Sequence, residues 1–387
     1  MTPAHQGISL ACRACRASRQ QSDLVLDLGE VPAADWFPQP TDPLPDPTYP
    51  LAMWCCRACG LAQLAEDPTN TSEPRGVEPE ALRLQARQAV RCLTESGLLD
   101  HLAPATVTEF GSPHGGSWLH LLAESGLIEV PECSAAHIVV DCFGLMHERD
   151  QLEGISKRIQ RLSADGILIV QFHSLEAIIK ARQWNSLRHG HYAYFSLTAL
   201  LALLAAVGLA PVRAWEFPLY GGTVLLAATR TTSSLFPKAG ERPTDATVDV
   251  ILNRESELGV TRHSTLRILQ RSADAESRHL TEALRAASKQ GRRIYAYGAA
   301  SRAVILLSRA GVAPSTLTAV ADASTAKQGR MLPGTRIPII SPAELVTAAP
   351  DQVLMLLPDL LPEVNEALPE LAGRWRLPED FEGYGWK

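Results

Sequence analysis

Two cysteine pairs constrain the start of this chain more tightly than any other feature. Cys12-Arg-Ala-Cys15 and Cys56-Arg-Ala-Cys59 are two C-x2-C knuckles, about 40 residues apart in a spacing typical of metal sites. Two intervening residues let both thiolates of a knuckle converge on one ion. Two knuckles complete a tetrahedral site with no open position, which predicts a structural rather than a catalytic zinc. Cys55 stands beside Cys56, but in a strand its side chain points the other way. Gly60 suits the tight turn after the second knuckle. Cys92, Cys133 and Cys142 are isolated and read as small buried apolar residues.

The chain has 387 residues and eight cysteines, room for two or three domains but too few cysteines for a secreted disulfide framework. Its net charge of -6 gives no field for nucleic acid or an anionic membrane, so neither is an expected partner. Met1 to Leu10 lacks the basic and apolar regions of a signal peptide. The most apolar stretch, Leu197 to Leu209, is about 13 residues long and too short to span a bilayer. The cytoplasm is the expected location.

The pattern predicts an α/β protein in three parts. Residues 1–66 form a zinc-binding domain with a proline-laced loop, Thr41 to Pro50. Residues 67–230 begin with a linker carrying Pro68, Pro74 and Pro79 and a helix near Glu80 to Glu95. Then follow a strand at Thr106 to Phe110, a glycine turn at Gly111 to Gly116, and a helix at Trp118 to Glu124. Strands at His137 to Phe143 and Gly166 to Phe172 flank a helix at Asp150 to Leu162. A helix capped by Ser196 and an antiparallel pair, Val212 to Glu216 with Thr223 to Ala228, complete a Rossmann-like sheet. Residues 231–387 hold a long helix, about Ser264 to Ser288, and a second Rossmann-like unit. Its first strand, Ile294 to Tyr297, ends in Gly298-Ala299-Ala300-Ser301, with later strands at Leu317 to Ala321, Ile337 to Ile340 and Gln352 to Leu357.

These residues resemble the bacterial nucleotide-sugar C-methyltransferases that act on TDP-4-keto-deoxysugars. The resemblance rests on the two knuckles with Asp27-Leu28-Gly29-Glu30-Val31-Pro32, and on Glu109-Phe110-Gly111-Ser112 with Gly115. It also rests on His191 to Ser196, Tyr220-Gly221-Gly222-Thr223, Tyr297 to Ser301, and Lys327 to Ile339. It implies a zinc domain, a class I S-adenosylmethionine (SAM) domain and a C-terminal Rossmann-like domain. Glu109, Gly111 and Gly115 would be a degenerate SAM loop, and His147 and His191 the acid-base residues, since histidine titrates near neutrality. Tyr194 and Tyr220 are substrate candidates. A glycine turn at a helix start suits a phosphate, so Gly298 and Ser301 are candidates too, with Asp322 for a ribose and Lys327, Arg330 and Arg336 as phosphate partners.

The chain departs from the family where chemistry would occur. Arg188-His189-Gly190-His191 replaces Tyr-His-Glu-His, Pro113 and His114 replace Asn and Asp, and Pro358-Asp359-Leu360 replaces Pro-Trp-Asn. No tyrosine-serine-serine segment lies between Glu66 and Glu78. Between the helix ending near Glu124 and the strand beginning at His137 there is no room for two strands with their crossovers. Leu127 to Val130 is a candidate remnant of the second strand, with Glu129 or Glu132 as a surrogate ribose acid. The SAM domain is therefore expected to be truncated and SAM to bind weakly or not at all. The leading reading is acid-base chemistry on an enolisable carbonyl compound or nucleotide sugar in natural-product biosynthesis, without methyl transfer. An active SAM-dependent C-methyltransferase and a non-catalytic partner of a pathway enzyme stay open as alternatives.

Overall fold

A computed structural model describes residues 11–69, 80–102, 104–112, 115–131, 134–234 and 245–380. Pro74, Pro79, Pro113, His114, Glu132 and Cys133 lie outside the described residues.

The N-terminal part supplies β1 (Ser22–Pro32), β2 (Thr48–Cys56) and β3 (Ala62–Leu64). The middle part runs α1 (Glu80–Thr94), β4 (Thr106–Phe110), α2 (Leu119–Glu124), β5 (Ile128–Glu129), β6 (Ala136–Cys142), α3 (Gln151–Gln160) and β7 (Leu162–His173). It continues with α4 (Leu175–Lys180), β8 (Ala193–Tyr194), α5 (Leu197–Ala206), β9 (Leu209–Phe217) and β10 (Thr223–Arg230). The C-terminal part holds α6 (Ala246–Leu258), α7 (His263–Lys289), β11 (Ile294–Tyr297), α8 (Ser301–Arg309), β12 (Val320–Ala321) and β13 (Ile339–Ile340). It ends with α9 (Pro342–Ala348), β14 (Gln352–Met355), α10 (Leu361–Ala367) and β15 (Trp375–Arg376).

Three sheets result, ordered β1-β2-β3-β8, β5-β4-β6-β7-β10-β9 and β13-β12-β11-β14-β15. The middle sheet is parallel from β5 to β7 and antiparallel from there to β9, while the C-terminal sheet is parallel throughout. In a parallel sheet the loops at the carboxyl ends of the strands gather on one edge, where open α/β folds bind ligands. The remnant expected at Leu127 to Val130 forms β5, paired with β4 in the register Thr106↔Ile128 and lying at the sheet edge.

The N-terminal part differs from a separate domain ending at residue 66. Its fourth strand, β8, comes from the middle of the chain, with Ala62 opposite Tyr194. Period-2 alternation also sends its side chains into two different cores. Cys56 and Leu61 join a core with α1 and the middle sheet, whereas Cys55, Ala62 and Leu64 join one with α4, α7 and the C-terminal sheet. The amphipathic α7 seals the second core with Leu266, Leu269, Leu280 and Leu284, all buried, each contributing roughly 1.5–3 kcal/mol.

Helices α4 and α6 and strand β8 were not legible in the sequence. The pattern of α6 gives a weak helical signal because only Val248, Ile251 and Glu255 face inward. Glu255 is nonetheless decisive: its carboxylate accepts from the N–H groups of Leu197 (2.7 Å) and Thr198 (2.8 Å). It satisfies orphan donors at the start of α5 beside the cap made by Ser196. No helix among the described residues is long and apolar enough to cross a membrane.

Candidate functional site

The four knuckle sulfurs lie within 4.8 Å of one another. Cys12 and Cys59 are 3.6 Å apart, and Cys15 and Cys56 3.7 Å. Zinc–sulfur bonds of 2.3 Å at tetrahedral angles give sulfur–sulfur edges of about 3.8 Å, so the donor set fits a closed zinc site. The two knuckles are conformational copies. Arg16 N–H returns to the Cys12 carbonyl and Gly60 N–H to the Cys56 carbonyl, and both residues are left-handed, with φ of 62° and 76°. At Gly60 a Cβ would lie 2.5 Å from the Thr261 methyl, so only glycine fits. Cys55 points away, its sulfur 3.6 Å from the Thr261 carbonyl oxygen.

The zinc site is less remote from the other candidates than its chemistry alone suggests. The Arg13 and Arg149 guanidiniums each lie 4.9 Å from the centroid of the Tyr192 ring. Arg13 also donates to the Arg149 carbonyl (2.8 Å). Asp67, at the end of the N-terminal part, accepts from the N–H groups of Gly190 (2.8 Å) and Thr69 (2.9 Å). Burial pushes the Asp67 carboxyl up, but these hydrogen bonds outweigh it and hold the group below the ordinary carboxylate value.

That loop carries His191. His147 follows β6 in a 3-10 turn, and Tyr192 N–H donates to the Met146 carbonyl (2.8 Å). The His147 and His191 rings meet edge to face with centroids 4.3 Å apart. His191 is 8% exposed. Arg188 donates from Nε to His191 Nε2 (2.7 Å). A guanidinium only donates, so Nε2 presents its lone pair.

The same Arg188 reaches the C-terminal part, donating from Nη1 to Ser301 Oγ at the start of α8. The Arg302 guanidinium lies 5.5 Å from the centroid of the Tyr220 ring, which also faces Phe143 (5.9 Å) and His173 (6.2 Å). Tyr220 is itself left-handed (φ 58°, ψ 24°), at a cost of roughly 1–2 kcal/mol for a side chain with a Cβ. Two glycines follow it, and at Gly222 a Cβ would sit 2.5 Å from that of Ala177. Thus the carboxyl edge of the middle sheet and the start of α8 share one polar cluster: His147, His173, Arg188, His191, Tyr220 and Arg302.

The other sequence candidates divide. Tyr194 lies beneath the cluster, fully buried, its hydroxyl accepting from Arg188 N–H (3.0 Å) and donating to the Ser186 carbonyl (3.2 Å). The donors expected to be free at Gly298 and Ala299 are engaged, by the Ala321 carbonyl (2.7 Å) and by Asp322 Oδ2 (2.7 Å). Asp322 also accepts from Ser324 N–H (2.8 Å), so its carboxylate closes its own turn. Lys327 is buried, with its ammonium on the Ala299 carbonyl (3.0 Å), and Arg330 donates to the Phe37 carbonyl (3.0 Å). Arg336 pairs with Asp46 (2.9 Å). These three cations fasten the turns after β11 and β12 to one another and to the N-terminal loop, a packing task that spacing alone cannot separate from phosphate binding.

At the carboxyl end of the neighbouring β4, Glu109 accepts from Ser117 Oγ (2.5 Å) and Trp118 N–H (3.0 Å) and so braces the start of α2. Burial pushes its carboxyl up. Gly111 is exposed, and Gly115 and Gly116 are both left-handed, with φ of 83° and 76°. Glu129 ends β5 and is exposed.

Sequence reasoning missed His173, Arg188 and Arg302 as site residues. Each adjoined a feature that was read: the strand ending at Phe172, the loop before His191, and Ser301. Burial, and then the Arg302 charge, lowers His173 to about 3. The native ring stays neutral, while the unfolded ring titrates at its ordinary value near 6.5. Stability from this source is intact above about pH 6.5 and is lost as pH falls from there toward 3. Between pH 7 and 5 the wild type should lose about 2 kcal/mol more than His173→Gln. Urea denaturation of both proteins at the two pH values measures this, and equal losses would refute it.

Two family models match this chain: "C-methyltransferase C-terminal domain" over residues 218–375 and "Putative zinc binding domain" over residues 12–70. The C-methyltransferase NovU of Streptomyces niveus is 27% identical over 241 residues, 61% of this chain and 55% of that protein. The match thus spans just over half the relative's length. Among solved structures, the N-methyltransferase NodS of Bradyrhizobium japonicum overlaps 40% of this chain and 89% of its own, at 11% identity and a TM-score of 0.29. The 1,6-didemethyltoxoflavin-N1-methyltransferase of Burkholderia thailandensis overlaps 44% and 95%, at 16% identity and a TM-score of 0.26.

Proposed function

From the premise that this chain is a methyltransferase-like protein related to bacterial C-methyltransferases, we propose that it is a C-methyltransferase acting on a small enolisable carbonyl compound. By the resemblance, a nucleotide keto-sugar is the substrate class. The observation that carries the reading is the contact between His147 and His191, 4.3 Å between ring centroids, at the carboxyl edge of the middle sheet. Alkylation beside a ketone starts with removal of the α proton, and the histidine pair can take that proton once the Arg188 Nε–H leaves the His191 Nε2 lone pair it occupies. The Arg188 and Arg302 charges stabilise the negative charge that develops on the carbonyl oxygen.

The residues after β4 and at the end of β5, on the same carboxyl edge, fit the methionine and ribose ends of SAM: the left-handed glycine turn at Gly115 and Gly116, and Glu129. SAM, when bound, supplies an electrophilic methyl group. Among the described residues no further strand pairs outside β5 to wall the adenine. Calorimetric titration should therefore give a SAM dissociation constant above about 10 μM. A value below that would refute the weak seat.

That narrow edge also favours a second reading, proton transfer without methyl transfer. One experiment separates the two. The protein is incubated in deuterium oxide with a nucleotide 4-keto-deoxysugar, with and without methyl-labelled SAM. Label in the product supports methyl transfer. Deuterium exchange without label supports the second reading, and neither signal with any carbonyl substrate tested removes both.

A further inference from the structure

We infer that Gln171 and His173 on β7, with Gln85 from α1, form a seat for the hydroxyl groups of a neutral sugar ring beside the histidine pair. The inference rests on the keto-sugar reading above and deepens it, since it names the part of the substrate that is recognised and the residues that do so.

Gln171 and His173 stand two residues apart in β7, so both side chains project from the same face of the middle sheet. Gln171 is 1% exposed, and neither its Nε2 nor its Oε1 has a hydrogen-bond partner among the described residues. Its neighbours across the sheet, Cys142 on β6 and Leu225 on β10, are buried and offer it no strong donor or acceptor. One step nearer the carboxyl edge, burial keeps the His173 ring neutral, and its Nε2 is also without a partner. The Tyr220 ring stands over this end of the sheet, 6.2 Å from His173 and 5.9 Å from Phe143. Gln85 lies among Leu82, Ala86 and Ala89 on the buried face of α1, and both of its amide atoms are likewise unpartnered. Arg213, midway along β9, holds the far end of α1 at Ser96. The earlier turns of α1 therefore lie toward the Leu219–Gly221 turn at the carboxyl edge.

Burying a carboxamide without a partner is costly, and such groups collect where a ligand completes them. Their chemistry selects the ligand. All three side chains are neutral, so they favour a neutral group over a phosphate or a carboxylate. An amide presents a donor and an acceptor side by side, and a vicinal pair of hydroxyls can meet both. An adenine edge also matches an amide, but the SAM seat lies at β4 and β5, with β6 between it and β7. The Gln171 carbonyl accepts from Phe143 N–H (3.0 Å), and from Phe143 the chain leads directly into the His147 turn. A ring held at Gln171 can thus present its ketone to the histidine pair.

Calorimetry on the full-length zinc-loaded protein tests this with two probes, a TDP-4-keto-6-deoxyhexose bearing the 2- and 3-hydroxyls and its 2,3-dideoxy counterpart. We expect the wild type to prefer the hydroxylated compound about 10- to 150-fold, and Gln171→Met to erase that preference. Because Gln171→Met removes a buried unpartnered amide, it should also melt about 2–4 °C higher, the reverse of losing a structural amide. The wild-type comparison stands even where a variant fails to fold. Equal affinity of the wild type for the two compounds, or binding of neither, would overturn the seat. So would a preference that survives in Gln171→Met, or a variant that melts lower than the wild type. Gln171-dependent preference with no α-proton exchange on either compound would sustain the seat and sink the acid-base reading. Exchange on both compounds, bound with equal affinity, would do the reverse.

Discussion

Replacing Cys12 and Cys56 together by alanine will release the metal and leave no cooperatively folded protein. Closing a four-thiolate site contributes about 10–16 kcal/mol in small zinc peptides at neutral pH, as much as or more than the whole 5–15 kcal/mol stability of a typical domain. The loss spreads because Cys56 and Cys55 feed two different cores. It also reaches the histidines, because Arg13, inside the first knuckle, stacks on Tyr192 beside His191. Elemental analysis of the wild type should give one zinc per chain, and the double variant should have no sharp thermal transition. Less than about half an equivalent in carefully prepared wild type, or full zinc in the double variant, would rule out this site.

Loss of either histidine of the pair should cost turnover steeply while leaving the fold intact. Positioned acid-base groups contribute about 10²–10⁴-fold, so His191→Asn and His147→Asn are each expected to fall in that range in kcat/KM. On the proposed mechanism the two touching rings act as a unit, so the double variant should be little worse than the poorer single one. Rates of α-proton exchange, with circular dichroism to check folding, provide the measurement. A loss below about threefold in both single variants would exclude the pair from the chemistry.

Much of this architecture is legible in the chain. The knuckles, the cap at Ser196, the strand at Thr106 to Phe110 and the 27-residue α7 are written in local patterns of spacing and periodicity. What sequence could not show are partnerships at long range. Nothing near Lys327 tells that its ammonium meets the carbonyl of Ala299, and nothing near Asp322 tells that its carboxylate closes the preceding turn. Both residues were plausible ligands by position and are committed by tertiary contact. Conversely, Arg302 looked like an ordinary helix residue until folding set it against Tyr220 and Arg188. The contact between His147 and His191 is likewise invisible locally, because the two residues belong to different turns.

Strand β8 has a consequence for how the chain is made. Its two residues complete the N-terminal sheet, yet they are synthesised about 130 residues after the last zinc ligand, roughly 7–26 s later on a ribosome. The metal can close around a nascent sheet whose β3 edge still has no neighbour. For that interval the open edge is a template for strand pairing with other nascent chains. A fragment that stops before Tyr192 keeps that edge for good and will self-associate even with zinc in place.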